Sequence, residues 1–326
     1  MTPDSHGVRG GAGMRIVVLD DYQSVASGYA EWDTLGAEVE FVSRPIRDTE
    51  DLMRVVSGAE VVVAMRERTL FSAARLSQLR DLKLLVTTGR VNASIDLDAA
   101  RAQGIVVCGT ESTTSATPEL TWGLILSVLR SIPTEDAAVR SGGWQSTVGG
   151  DLLGHRLGVI GLGRLGAQVA RVGAAFGMDV VAWSQNLDEA RAAEVGVEAV
   201  SKQELFATSD VLTVHYKLSE RSRGLVAAEE LSLMKPTSIL VNTSRAGLVD
   251  TEALVAVLEA GRIRGAGIDV YDTEPLPSDH ALRSAPRTVL TPHLGYVTDE
   301  TYRIFFTQAV EAIAAWMAGE PIRQLS

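Results

Sequence analysis

Short apolar runs alternate with longer stretches of helical spacing along most of the chain. From Met14, the runs RIVVLD, VEFVS, EVVVAM, LKLLVTT and GIVVC read as buried strands, because parallel strands covered on both faces show continuous hydrophobicity. DTEDLMRVVSGA and TLFSAARLSQL lie between them and read as helices. This is the alternation of a parallel α/β sheet. ATPELTWGLILSVLRSI then predicts one helix of about four turns.

A second alternation begins at RLGVIGLG and runs through DVVAWS, SDVLTVHY, TSILVNTS, GAGIDVYD and TVLTPH, each strand preceded by a crossover helix. Six such strands predict a second, doubly wound sheet. The last stretch, ETYRIFFTQAVEAIAAWMAG, is amphipathic and predicts a helix that folds back onto the first domain. The expected fold class is α/β, with two doubly wound parallel-sheet domains, short connections and a cleft between them. The expected boundaries are 14–112 plus 298–326 for the first domain and 113–297 for the second. The opening MTPDSHGVRGGAG has no apolar signal-peptide core and is expected to be a disordered extension, 1–13.

Composition narrows the classes. At 326 residues the chain exceeds the size at which single cores usually stop growing. With 41 acidic against 30 basic residues, a formal charge of -11 repels a phosphate backbone, so nucleic acid is not an expected partner. No run approaches the roughly 18 apolar residues of a membrane span. The single cysteine, Cys108, has no partner within the chain, and a reducing, cytoplasmic setting is expected. No metal-ligand spacing stands out.

The run Leu157 to Ile160 leads into Gly161-Leu162-Gly163-Arg164-Leu165-Gly166, and AQVARVGAAF follows with helical spacing that puts Ala170, Val172 and Phe176 on related faces. Strand, glycine turn and helix in this order form a dinucleotide fingerprint: the first glycine makes the turn, the second admits a pyrophosphate and the third lets the helix pack closely. The second strand of the fingerprint should end in an acid that bonds the adenosine ribose, yet Ser184 stands there. Gln185 and Asn186 are neutral, while Arg164 and Arg191 are within reach of a phosphate. Both NAD and NADP stay open as cofactor, with NAD favoured.

Hydride transfer to a 2-keto acid needs a cation for the carboxylate, a proton donor for the developing alkoxide and a group that keeps the donor charged. Arg245 in VNTSRAGLVD offers a planar fork for a carboxylate. His293 in LTPHLGY follows the last strand, and Glu274 in DVYDTEP is expected to bond its imidazole and raise its pKa. Taken singly, each reads as well as a surface arginine, a strand-capping histidine or a solvated carboxylate.

The glycine loop, HYKLSERSRGL, LMKPTSILVNTSRAGLVD, GAGIDVYDTEP and TPHLGY occur in one order, and that order resembles the D-isomer-specific 2-hydroxyacid dehydrogenase family over nearly the whole chain from Met14. The resemblance implies a Rossmann dinucleotide-binding domain beside a flavodoxin-like substrate domain. It implies catalytic roles for Arg245, Glu274 and His293, and hydride exchange between NAD(P)H and C2 of a small 2-keto or 2-hydroxy acid. It further implies that Asp269 contacts the nicotinamide carboxamide, that Thr243 lies nearby through its backbone, and that the loop from His215 and Tyr216 to Ser222 flanks the cofactor. Lys217 stands where the family often has proline, and Ser222 replaces a usual threonine. In the first domain, the backbone amides of Arg66 to Thr69 and Gly89 to Asn92 should hold the substrate carboxylate, with charge added by Arg66, Arg68 and Arg90.

Other readings share the fold. A formate dehydrogenase carries Gln at the place of Glu274; a phosphite dehydrogenase shares the Arg, Glu and His set; a redox-sensing corepressor retains such residues without turnover and usually carries extra tails. The length leaves room for the two basic domains and not for an added regulatory domain. A homodimer built through the second domain is expected by resemblance, with the helix of Glu119 and Trp122 contributing.

Overall fold

The computed structural model describes residues 13–325, so the expected extension 1–13 lies outside the described residues apart from Gly13, as does Ser326. Two compact units divide the chain, one running to Thr113 and resuming at Thr298, the other spanning Thr114–Val297.

The first unit is a parallel sheet in the order β2-β1-β3-β4-β5, built from β1 (Arg15–Val18), β2 (Glu38–Phe41), β3 (Val61–Ala64), β4 (Leu84–Thr87) and β5 (Val106–Gly109). Side chains alternate across it. Val17, Val62, Leu85 and Val107 pack on one face with Leu52 of α1 (Thr49–Val55), Leu76 of α2 (Ala73–Leu76) and Ala100 of α3 (Leu97–Ala102). Ile16, Val18, Val63 and Val86, one position out of phase, are buried on the other. The second predicted helix is shorter than expected because Phe71, fully buried, keeps extended backbone to bridge Ile95 and accept from Asp96 N–H at 3.0 Å.

The second unit opens with α4 (Ala116–Leu129), which ends short of the predicted Ile132. Ser131 turns left-handed at φ 50°, and Pro133, without an N–H, begins α5 (Ile132–Arg140) as a separate helix. The sheet holds seven strands, in the order β12-β11-β10-β9-β6-β7-β8, where six were expected. They are β6 (Arg156–Ile160), β7 (Asp179–Trp183), β8 (Glu198–Ala199), β9 (Val211–Val214), β10 (Ile239–Asn242), β11 (Gly265–Ile268) and β12 (Thr288–Leu290). The added β8 is two residues long at the edge, too brief to leave a hydrophobic signature. Between the strands run α6 (Arg164–Ala175), α7 (Glu189–Ala193), α8 (Lys202–Thr208), α9 (Ala228–Leu233) and α10 (Thr251–Glu259). Only a 3-10 turn, Ala281–Arg283, precedes β12, so a crossover helix is missing there.

Each face of this sheet has its own core. Leu157, Val159, Val211 and Val241 join Trp122, Ile125 and Val169, while Ile160, Leu212, Val214 and Leu240 join Phe206, Leu231 and Leu254. The buried stripe of α6 is Gly166, Ala167, Val169, Ala170 and Gly173, spaced by three and four residues. Val172 and Phe176, expected on faces related to that of Ala170, are 39% and 41% exposed: Val172 falls on the far side of the helix from the buried stripe, while Phe176 is the C-cap and lies against Trp122 with ring centroids 5.0 Å apart. Finally α11 (Asp299–Met317) returns to the first unit, where it packs against β4 and buries Phe305, Phe306 and Ile313.

Candidate functional site

In both units the candidate residues sit just after the carboxyl ends of parallel strands, where backbone amides and loops converge. Strand order in the second unit reverses beside β6, between β9 and β7. The glycine loop leaves β6 at that point. Gly161 has φ 95°, and a Cβ there would stand 2.5 Å from the His215 carbonyl; one on Gly166 would stand 2.1 Å from the Gly161 carbonyl. Both are forced by crowding. Gly163 differs: a Cβ would meet nothing within 4 Å, and it is the N-cap of α6, where the first turn's N–H groups lack helical partners. Open space in front of unpaired amides fits a dinucleotide pyrophosphate.

The neighbours of this loop are tied to it. Gly161 N–H donates to Trp183 O at 2.8 Å and Leu162 N–H to Ser184 Oγ at 3.1 Å, so Ser184 braces the turn. Tyr216 stacks on Trp183 with centroids 6.0 Å apart, and its hydroxyl accepts from Gln185 N–H at 3.3 Å. His215 Nε2 meets Thr213 Oγ1 at 2.9 Å, and burial pushes its imidazole down to about 4, which keeps it neutral. Ser222 is turned inward. Its hydroxyl donates to Lys217 O at 2.7 Å and accepts from Ser219 N–H at 2.8 Å, so it closes its own loop instead of facing a ligand as expected.

The ends of β10, β11 and β12 carry the remaining set. His293 Nδ1 lies 2.7 Å from Glu274 Oε2, and Glu274 Oε1 accepts from Tyr271 N–H at 3.0 Å. A carboxylate on Nδ1 requires the proton there and leaves Nε2 for exchange. His293 adopts φ 55°, a left-handed conformation costly for a branched-free but bulky side chain. Asp269 supports that turn. Its Oδ1 accepts from Thr291 Oγ1 at 2.6 Å and Leu294 N–H at 2.7 Å, and its Oδ2 from Gly295 N–H at 2.9 Å. Burial pushes this carboxyl upward against the opposing pull of those donors.

Arg245 N-caps a 3-10 turn, with its Nη1 donating to Ser244 O at 2.8 Å. Asn242 shapes the loop, its Nδ2 donating to Arg245 O at 3.0 Å while its Oδ1 accepts from Ser244 N–H at 3.0 Å. Thr243 is buried, its hydroxyl 2.8 Å from that of Thr121. Sequence reasoning passed over Asn242, Tyr271 and Thr291; an Asn two residues before a Ser in NTS is a local turn signal that pointed to the first. Tyr271 acts on Glu274 three residues further along, and Thr291 meets Asp269 only where two strands end side by side.

In the first unit, Arg66 adopts φ 51° and its N–H donates to Thr88 Oγ1 at 2.9 Å. Gly89 N–H donates to Thr110 Oγ1 at 2.8 Å, and Arg68 N–H to Met65 O at 3.2 Å. These three amides are therefore already used, and the expectation that they bind a carboxylate fails for them. Arg68 Nη1 donates to Asp20 O at 2.9 Å, with the guanidinium 4.3 Å over the Tyr22 ring. Arg90 forks onto Glu111, its Nε 2.8 and 2.7 Å from the two carboxylate oxygens, which spends its charge at the surface.

The profile of the D-isomer specific 2-hydroxyacid dehydrogenase NAD binding domain matches residues 122–295. D-3-phosphoglycerate dehydrogenase of Mycobacterium bovis is 37% identical over 286 residues, 87% of this chain and 53% of that one. Glyoxylate reductase of Aeropyrum pernix is 37% identical over 255 residues, covering 75% and 76%. A crystal structure of phosphoglycerate oxidoreductase from Vibrio cholerae superposes with a TM-score of 0.90 at 36% identity, covering 94% and 99%. The chain spans about half the length of the phosphoglycerate dehydrogenases it matches.

Proposed function

Because the chain belongs to the D-isomer specific 2-hydroxyacid dehydrogenase family, we propose that it exchanges a hydride between NAD(P)H and C2 of a small 2-keto or 2-hydroxy acid. The observation that carries this reading is the 2.7 Å bond between His293 and Glu274 on the same sheet edge as Arg245 and a glycine loop fit for a dinucleotide. The nicotinamide, when bound, supplies or receives the hydride.

In the proposed mechanism, Glu274 holds the imidazole so that Nε2 delivers a proton to the substrate oxygen during reduction and takes it back during oxidation. Arg245 binds the carboxylate and polarises the adjacent carbonyl. Asp269 fixes the turn bearing His293, and its Oδ2, which accepts from Gly295 N–H, keeps acceptor capacity for the nicotinamide amide. Gly161, Gly163, Arg164, Leu165 and Gly166 hold the pyrophosphate, with Ser184, His215, Tyr216 and Thr243 around the rest of the nucleotide. Arg66 and Arg68 help select the substrate side chain. A panel of 2-keto acids, with phosphite as a separate donor, assayed by NADH and NADPH turnover tests this. Reduction of at least one keto acid supports it; tight nucleotide binding without any turnover overturns it in favour of a sensor.

A homodimer and a reducing, cytoplasmic setting belong to the same reading. Trp122 was expected at the contact, but it is 6% exposed and packs on Phe176 within its own unit. The surface that fits is α5 and the segment after it: α5 buries none of its residues, and Val139, Trp144 and Val148 are 53%, 77% and 92% exposed. Sedimentation velocity should give twice the chain mass, and Trp144→Glu should lower it. Cys108 is buried and unpaired, as a reducing compartment allows. No helix among the described residues is long and apolar enough to cross a membrane.

A further inference from the structure

The end of β7 lacks the carboxylate that selects an unphosphorylated adenosine ribose. Ser184, Gln185, Asn186 and Leu187 are all neutral. The first acid is Asp188, whose Oδ1 caps α7 by accepting from Arg191 N–H at 2.7 Å. No acidic residue therefore stands between the end of β7 and the N-cap of α7.

Beside this turn a pocket of about 390 Å³ is lined by Gly163 and Arg164 of the glycine loop, Arg171 of α6, Arg191 of α7 and Glu194 at its C-cap. Arg164 and Arg171 are seven residues apart, two turns along one face of α6. Glu194 pairs with Arg191 at 2.5 Å, and the other lining residues are uncharged. Three arginines against one glutamate leave the pocket cationic. It shares Gly163 and Arg164 with the pyrophosphate loop, and that loop is bonded to the end of β7 through Gly161 and Leu162.

From this juxtaposition we infer that the nucleotide site accepts a 2′-phosphate, with Arg191 and Arg171 as its partners, so that NADPH binds at least as tightly as NADH. The inference rests on the dehydrogenase reading and reverses the preference for NAD expected from the sequence. A guanidinium matches a phosphate with two parallel hydrogen bonds, while an acid at position 184 would oppose the same group. A free phosphate has the same chemistry, but only a phosphate carried by the dinucleotide would couple this pocket to the glycine loop.

Fluorescence titration of the full chain with NADPH, NADH and inorganic phosphate separates these cases without relying on turnover. The expected result is an NADPH Kd equal to or below that for NADH. Arg191→Ala should weaken NADPH about tenfold, the usual loss for one charge-assisted hydrogen bond, with NADH changed less than about twofold, and Ser184→Asp should weaken NADPH about tenfold through charge repulsion. Tighter binding of NADH than NADPH by the unaltered chain overturns the inference and leaves the dehydrogenase reading standing. So does equal weakening of both nucleotides by Arg191→Ala, or inorganic phosphate binding that is indifferent to NADPH. Failure of both nucleotides to bind overturns the dehydrogenase reading along with it.

Discussion

The two sheets are built alike and furnished differently at their carboxyl edges. In the Thr114–Val297 unit the charged groups bond one another across strand ends: Glu274 after β11 holds His293 after β12, and Asp269 gathers Thr291, Leu294 and Gly295. In the other unit the arginines bond mostly to backbone carbonyls and surface acids, as Arg68 does with Asp20 O and Arg90 with Glu111. One edge is a fixed set of titratable groups suited to moving a proton. The other carries Arg66, Arg68 and Arg90 on loops held by their own hydrogen bonds, beside the buried Asp20 that accepts from Thr69 Oγ1 at 2.7 Å, an arrangement suited to recognition. Architecture alone does not separate them; the side chains on the strand ends do.

The comparison breaks most visibly at His293. His293→Ala should lower the turnover of the best keto acid by about 10³-fold while leaving NADPH or NADH affinity within about twofold, because general acid catalysis is worth about 10²–10⁴. Rate and fluorescence titration on the same preparation decide it, and retained turnover would place the proton donor elsewhere. Asp269→Asn should cost about tenfold in turnover and about 1–3 kcal/mol in urea-unfolding free energy, since three buried or half-buried donors lose their charged acceptor. An unchanged rate with lowered stability would make Asp269 purely structural.

Smaller effects test the recognition edge. Arg68→Ala should raise KM about tenfold with turnover little changed, whereas Arg90→Ala should stay within about threefold, because an exposed ion pair contributes only about 0–1 kcal/mol. Equal effects of the two would erase the distinction drawn between them. The smallest concerns Asp51, whose carboxylate receives Arg44 Nη1 and Nη2 at 2.6 and 2.8 Å and Arg47 N–H at 3.1 Å. The Arg44 guanidinium, first, and the Arg47 amide hold its carboxyl well below the ordinary carboxylate range. A carboxyl lowered by folding stabilises above its unfolded pKa of about 3.9 and loses that contribution as pH falls toward its folded value. Asp51→Asn should therefore reduce Tm by a constant amount from about pH 5 to 8, roughly one to four pH units above that unfolded pKa, and the difference should shrink below about pH 4.

The amino-acid order by itself located every strand but β8, located the glycine turn, and marked Arg245, Glu274 and His293 as candidates. Buried parallel strands must be continuously apolar, and a pyrophosphate loop must spare room at fixed spacing, so both leave marks within a few residues. The two-residue β8 is too short to leave such a mark, and the break at Ser131 and the inward turn of Ser222 rest on a left-handed residue and on bonds to Lys217 and Ser219 that hydrophobic spacing does not encode. Tertiary structure alone decided that Asp269 serves the His293 turn, that Arg90 is spent on Glu111, and that Arg171 joins Arg164 and Arg191 around one pocket. Hydrogen bonds and cavities form between atoms, and only folding brings those atoms within reach.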